Sequence, residues 1–314
     1  MAKLTSSRYA QVLLLLAVVA VLPLLFPSSF YLRVAALVWI SALAAIGLNI
    51  LVGYAGQVSL GQAGFLGIGA YAVAVGPAHL GLHPLVAMVA GAALAGVIAY
   101  IVGKPILRLR GYYLAIATLG FGLLVALVLT SEGAWTGGPD GMSVARPVLF
   151  GWRISGAETW YWISGLFMVA GAFLALNLLD SPGGRSLRAL HDSEVAAMSL
   201  GVDVATKKLA AFVLAAVYAA VAGSLLALMN GFITPDAAGF LHSIEIITMV
   251  VIGGMGSVLG CVVGAAFLVM LPQTLTFLHD YEHAVLGLLI MVFMVLLPRG
   301  SVPSIAARLR RAAA

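Results

Sequence analysis

From residue 10 to residue 297 the chain is a train of long apolar runs, and nearly all of its charge lies in the short segments between them. That pattern leaves few solvents open. The chain is 63% hydrophobic and 9% charged over 314 residues, and a soluble domain of that size needs more polar cover than this. Lipid must be the solvent for most of it. A membrane-crossing helix takes about 20 consecutive apolar residues. A membrane barrel would alternate apolar and polar residues instead, and these runs do not alternate. The expected fold is all-α: a polytopic membrane protein in which 1–314 form a single transmembrane domain.

Ten spans are expected, at Ala10–Phe26, Leu32–Val52, Gly61–His79, Pro84–Gly103, Tyr112–Thr130, Thr159–Leu179, Leu209–Met229, Leu241–Ile252, Gly260–Leu278 and Ala284–Leu297. The first follows Lys3 and Arg8, as the core of a signal peptide would. The residues after it, Phe26-Pro27-Ser28-Ser29-Phe30, contain no small-x-small cleavage site, so it is read as a retained helix. Arg299–Ala314 form a basic tail. With ten spans, both termini share a side with Lys104–Arg110 and Asp180–Lys208. That side holds 13 of the 16 Lys and Arg; the other holds Arg33, Arg146 and Arg153. The excess makes the first side, and both termini, cytoplasmic. Orientation thus explains the net charge of +5, and nucleic acid is not an expected partner. An even count also suits two five-helix halves of opposite orientation, a common transporter plan, although the halves share little sequence.

One stretch interrupts the pattern: Asn49–Tyr71, NILVGYAGQVSLGQAGFLGIGAY. It has glycines at 53, 56, 61, 64, 67 and 69 and no charge. Irregular backbone at membrane depth is tolerated only where protein buries it or it lines a wet cavity. Asn49, Gln57, Ser59 and Gln62 are therefore candidates for lining a solute pathway. The alternative is close packing, in which glycines admit neighbouring backbones and amides join helices. Packing is the reading adopted for Gly61 and Gly64. A second cluster holds Gly256, Gly260 and Gly264 as two successive GxxxG units, which favour a tight helix crossing. If spans eight and nine form a hairpin, these glycines lie at its bend.

Glu245 is the carboxylate placed within an expected span. Intramembrane acids are costly and often functional. It falls one turn from the outer boundary, so a pathway role and a structural hydrogen bond both stay open. His79, His83, His242, His279 and His283 fall near outer boundaries without a ligand-like pairing, and no metal site is expected. Cys261 reads as a small core side chain. The outer segment Ser131–Glu158, with Trp135 and Trp152, is either an interfacial loop or a receiver for a soluble partner.

The longest cytoplasmic segment is Asp180–Lys208, DSPGGRSLRALHDSEVAAMSLGVDVATKK. Pro182, Gly183 and Gly184 break the preceding helix. Asp192 or Ser193 can cap a second short helix, Glu194–Leu200, ended by Gly201. Val195, Met198 and Ser199 fall on one side of it. Such a helix suits docking to a soluble partner, or is a solvated connector. No G-x-x-x-x-G-K-[S/T] occurs anywhere, and no nucleophile–base set, so neither ATP binding by a P-loop nor enzymatic chemistry is expected.

The segment GRSLRALHDSEVAAMSLGVDVATKKLAAFVLAAVYAAVAGSLLA resembles the coupling region of the LivM-type permeases in the branched-chain amino acid ABC transporter family. So do Asn49–Tyr71, GYYLAIATLGFG at Gly111–Gly122, TGGPDGM at Thr136–Met142, SIEIITMVVIGGMGSVLGCVVGAA at Ser243–Ala266 and LPRG at Leu297–Gly300. They follow the family's order. The resemblance implies an importer permease fold, without cofactor, in a bacterial inner membrane. It implies a homologous LivH-type permease, two cytoplasmic ATP-binding subunits and a periplasmic solute-binding protein as partners. It implies that residues 180–208 fit a cleft in the ATP-binding subunit, with Arg185, Arg188, Asp192, Glu194 and Gly201 as the docking candidates. The implied solute is a branched-chain amino acid; relatives of this type also handle urea, short amides or aromatic acids. A stand-alone secondary transporter or channel would instead need ionisable residues deep in its spans.

Overall fold

Long runs of Leu, Val and Ala satisfy their backbone polar groups in lipid by coiling, and the structure is a bundle of helices. The computed structural model describes residues 8–26, 28–109, 111–149 and 152–274, with 287 and 291. Most of the tenth expected span, the end of the ninth, the basic tail, His279 and His283 lie outside the described residues.

The helices are α1 (Arg8–Leu25), α2 (Ser29–Asn49), α3 (Gln62–Leu80), α4 (Pro84–Ile106) and α5 (Tyr112–Ser131). After them come a short α6 (Gly133–Thr136) and strands β1 (Met142–Ser143), β2 (Val148–Leu149) and β3 (Trp152–Arg153). Then follow α7 (Ala157–Asp180), α8 (Pro182–Asp192), α9 (Glu194–Ser199), α10 (Val204–Asn230), β4 (Phe232–Ile233), α11 (Phe240–Gly253) and α12 (Val258–Thr274). A π-helical turn, Ile50–Tyr54, prolongs α2. Among the described residues, seven helices are long and apolar enough to cross a membrane: α1, α2 with its turn, α3, α4, α5, α7 and α10. α11 has 14 residues, about 21 Å, less than the ~30 Å of a hydrocarbon core, and α12 is described over 17 residues, up to the last described position of that segment. They pack against each other as a hairpin. Nine of the ten expected spans thus coincide with a helix.

α2 is the axis. It is buried along almost its whole length, with α7, α10, α11 and α12 around it. α3 lies against α10, α4 and α5. The α3–α10 crossing brings backbones together. A Cβ at Gly69 would overlap the Ala220 carbonyl, and one at Gly223 would overlap that of Leu66. The Ser224 hydroxyl donates to the Gly69 carbonyl at 2.9 Å. Dispersion and a buried hydrogen bond hold such crossings where no hydrophobic force separates helix from lipid. α1, α4 and α5 turn apolar side chains such as Leu24, Val89 and Leu124 outward.

Two faces are defined by contacts between distant segments. β1 pairs antiparallel with β4, Met142 opposite Ile233 and Ser143 opposite Phe232. His83 Nε2, at the α3–α4 turn, lies 3.0 Å from the Val148 carbonyl oxygen. These mark one face. At the other meet the end of α2, α8 and the α11–α12 bend. There Arg8 at the start of α1 donates to Asn177 Oδ1, near the end of α7, at 3.1 Å.

Candidate translocation and coupling sites

The glycine-rich stretch begins as helix and ends as helix, with an excursion between. The π turn is closed by the Gln57 amide donating to the Leu51 carbonyl at 3.0 Å. Gly56, at φ +66°, makes the reversal, and a Cβ there would stand 3.0 Å from Nδ1 of His191 on α8. The chain then runs inward without secondary structure to Gly61. The Leu60 amide donates to Thr118 Oγ1 of α5 at 3.1 Å. Gln62, the first residue of α3, donates from Nε2 to the Ala215 carbonyl at 2.6 Å, well inside α10, which starts at Val204. α3 therefore starts beside the middle of α10, and residues 57–61 are irregular backbone that buries Gln57, Ser59 and Gly61 while Val58 is exposed.

The polar candidates divide. Asn49 Oδ1 accepts from the Gly256 amide at 2.9 Å, and Gln62 joins α3 to α10. Gln57 and Ser59 are 3% and 2% exposed. Among the described residues, both amide atoms of Gln57 and the Ser59 hydroxyl have no hydrogen-bond partner. The glycine candidates also divide. A Cβ at Gly61 would overlap the Thr118 carbonyl, and one at Gly64 would meet Gly122 Cα at 3.0 Å. On α12, added Cβ atoms at Gly260 and Gly264 would overlap the carbonyls of Gly253 and Met249 on α11. Gly256 belongs to neither helix. It sits in the bend at φ +79°, a left-handed conformation that favours glycine, so the GxxxG pattern does not run through it as a helical face.

The surroundings of Glu245 are set by how α11 begins. α11 starts only after the 3-10 turn Pro235–Ala238 has dipped inward, so that a Cβ at Gly67 of α3 would run into Ala238 Cβ. Ser243 Oγ accepts from the Ala63 amide at the start of α3, at 3.0 Å. Glu245 lines a cavity of about 270 Å³ whose wall also includes Ser41, near the midpoint of the helix Ser29–Tyr54. His242 Nδ1 lies 2.9 Å from Glu245 Oε2. The rest of the wall is largely aliphatic, including Ile40, Leu66, Leu226 and Ile246. One polar corner in an aliphatic chamber can hold a small molecule with a charged end and an apolar end.

The 180–208 segment is two capped helices. Ser181 caps α8, accepting from the Gly184 amide at 3.3 Å. Ser193, one of the two residues anticipated, caps α9 by accepting from the Ala196 amide at 3.3 Å. α8 buries Gly184, Leu187 and Leu190 on one side. Asp203 caps α10, accepting from the Thr206 amide at 3.2 Å and from its hydroxyl at 2.5 Å. Those two donors hold the Asp203 carboxyl below the usual carboxylate range, so the cap persists as pH falls until the carboxyl protonates. Of the docking candidates, Glu194 is ion-paired with Lys208. Arg188 donates to the Leu179 carbonyl at 3.0 Å, and Arg185 to that of Asp180 at 3.3 Å. Asp192 is exposed, and Gly201, at φ +80°, ends the α9 turn. What α9 presents outward is apolar: Val195, Met198 and Leu200 are 73%, 49% and 79% exposed. The sequence hinted at this face through the spacing of Val195 and Met198. It offered no signal for Ser41, Tyr54 or His191, whose neighbours are far away in the chain.

The family described as the permease component of the branched-chain amino acid transport system matches residues 30–294. The high-affinity branched-chain amino acid transport system permease protein LivM of Escherichia coli K12 is 34% identical over 294 residues, covering 86% of this chain and 69% of that protein. LivM of Salmonella typhimurium LT2 is 35% identical over 299 residues, with the same coverage. The autoinducer 2 import system permease protein LsrC of Escherichia coli O9:H4 is 30% identical over 197 residues, 57% of this chain and 54% of that protein. No solved structure matches.

Proposed function

The chain belongs to the family of branched-chain amino acid transport permeases, and on that premise we propose that it is the transmembrane subunit of an ATP-driven importer of branched-chain amino acids. It works with a homologous LivH-type permease, two cytoplasmic ATP-binding subunits and a periplasmic solute-binding protein. It lies in the bacterial inner membrane with both termini in the cytoplasm. The distribution of Lys and Arg supports that orientation. Residues 180–208 are the segment that receives the ATP-binding subunit, and residues 299–314 a cytoplasmic tail.

The observation that carries the solute assignment is the chamber lined by His242 and Glu245. A branched-chain amino acid has a small zwitterionic head and an aliphatic side chain. Glu245 and His242 suit the head, and the Ile40–Leu66–Leu226 wall suits the side chain. Transport needs only modest affinity there, because the binding protein supplies selectivity and closure of the ATP-binding subunits supplies work. Opening alternately to each face, the chamber passes the solute inward.

The test is uptake of radiolabelled leucine by the full complex in proteoliposomes containing ATP. Ser41→Phe, which fills the chamber, is expected to reduce uptake at least tenfold while the subunits still co-purify. Undiminished uptake by that variant would put the route elsewhere.

A further inference from the structure

Three segments far apart in sequence meet at Tyr54. Its hydroxyl donates to the Gly256 carbonyl in the α11–α12 bend. Its ring receives the Arg188 guanidinium of α8, 5.9 Å from the ring centroid. Five residues earlier, Asn49 accepts from the Gly256 amide. Both backbone groups of one bend residue are thus taken by side chains of α2. Gly53 permits the approach, because a Cβ there would overlap Asn49 Oδ1 and the Gly256 nitrogen.

The contacts on the α8 side are equally fixed. Leu187 and Leu190 are buried, Arg188 is tied to the end of α7, and His191 packs on Gly56. On the far side of the bend, α11 is a short helix with His242 and Glu245 near its other end. A short helix moves as a rigid rod, so a shift of its bend reaches the chamber wall.

We propose that Tyr54 is a positioning residue that locks the α8–α9 segment to the α11–α12 hairpin, so that movement of the first resets the chamber wall carrying Glu245. The proposal rests on the reading of residues 180–208 as the receiver of the ATP-binding subunit. It adds the route by which work done there reaches the solute.

Tyr54→Phe removes the hydroxyl and keeps the ring against Arg188. In the full complex it is expected to assemble, to melt near the wild-type temperature and to hydrolyse ATP. Leucine moved per ATP should fall about fivefold, the factor that one buried hydrogen bond controls. A packing role would lower the yield of complex and leave that ratio alone, so an unchanged ratio overturns the proposal. A second readout uses spin labels at Ala189→Cys and Met255→Cys, in a Cys261→Ser background. With Tyr54 intact, one narrow distance should persist through the ATP cycle, and with Phe it should broaden. Equal widths in the two proteins also overturn the proposal. If the wild-type chain recruits no ATP-binding subunit, the importer reading fails instead, and the label widths still report on the Tyr54 contact.

Discussion

At the residue scale, Gln57 buries both of its amide atoms, and Ser59 its hydroxyl, without a hydrogen-bond partner among the described residues. A buried amide without partners costs about 1–3 kcal/mol, and simple packing gives no reason to keep one. Gln57→Met should therefore melt no lower than wild type, and Gln57→Ala should lose more transport than stability. Leucine uptake and thermal melting of the complex check both. Normal uptake by the two variants would leave Gln57 without a part in the pathway. The glycines predict the reverse. At Gly61 a side chain meets the α5 backbone, so Gly61→Leu or Gly64→Leu should cost about 3 kcal/mol, the upper range for overpacking. Gly120, with open space around its Cβ position, should tolerate Leu and serves as the control. The sequence singled out Gln57, Ser59, Gly61 and Gly64. It could not say which polar groups were already engaged, because Asn49 finds its partner at Gly256 and Gln62 at Ala215.

At the element scale, α9 offers water a face that water does not favour. Val195, Met198 and Leu200 stand out from a helix pinned at one end by the Ser193 cap and on one flank by Glu194–Lys208. Exposed apolar side chains grouped on an ordered element mark a contact surface. Val195→Asp combined with Met198→Asp should abolish co-purification of the ATP-binding subunit and leave the melting temperature of the permease unchanged. Retained co-purification would move the docking surface to Asp192 and the rest of α8. The helical caps were legible in the sequence, since Ser and Asp before a helical run carry a local mechanism. The packing at the start of α11 was not. Hydropathy measures the length of an apolar run, whereas the level at which α11 starts is set by the inward dip of 234–239 and by Ser243 meeting Ala63.

At the scale of the whole molecule, the all-helical class and the order of nine helices were legible because lipid permits little else. The arrangement around α2 was not, since Leu and Val face a neighbouring helix or lipid equally well. Orientation gives the prediction at this scale. Asp140→Cys, on the face of the β1–β4 ladder, should react with an impermeant maleimide in intact spheroplasts, and Val195→Cys only after lysis. The opposite pattern would invert the topology. The small burial of α1 bears on how the protein is made. Its chief partner is α7, where the Tyr161 hydroxyl donates to the Val19 carbonyl at 2.8 Å, across 142 residues of sequence. At about 5–20 residues per second, a ribosome needs roughly 7–28 s to supply that partner. Through that interval Val19 lacks its bond from Tyr161. The apolar side chains that α1 presents outward in the finished fold, such as Leu13 and Leu24, suit it to lipid before α7 arrives as well as after.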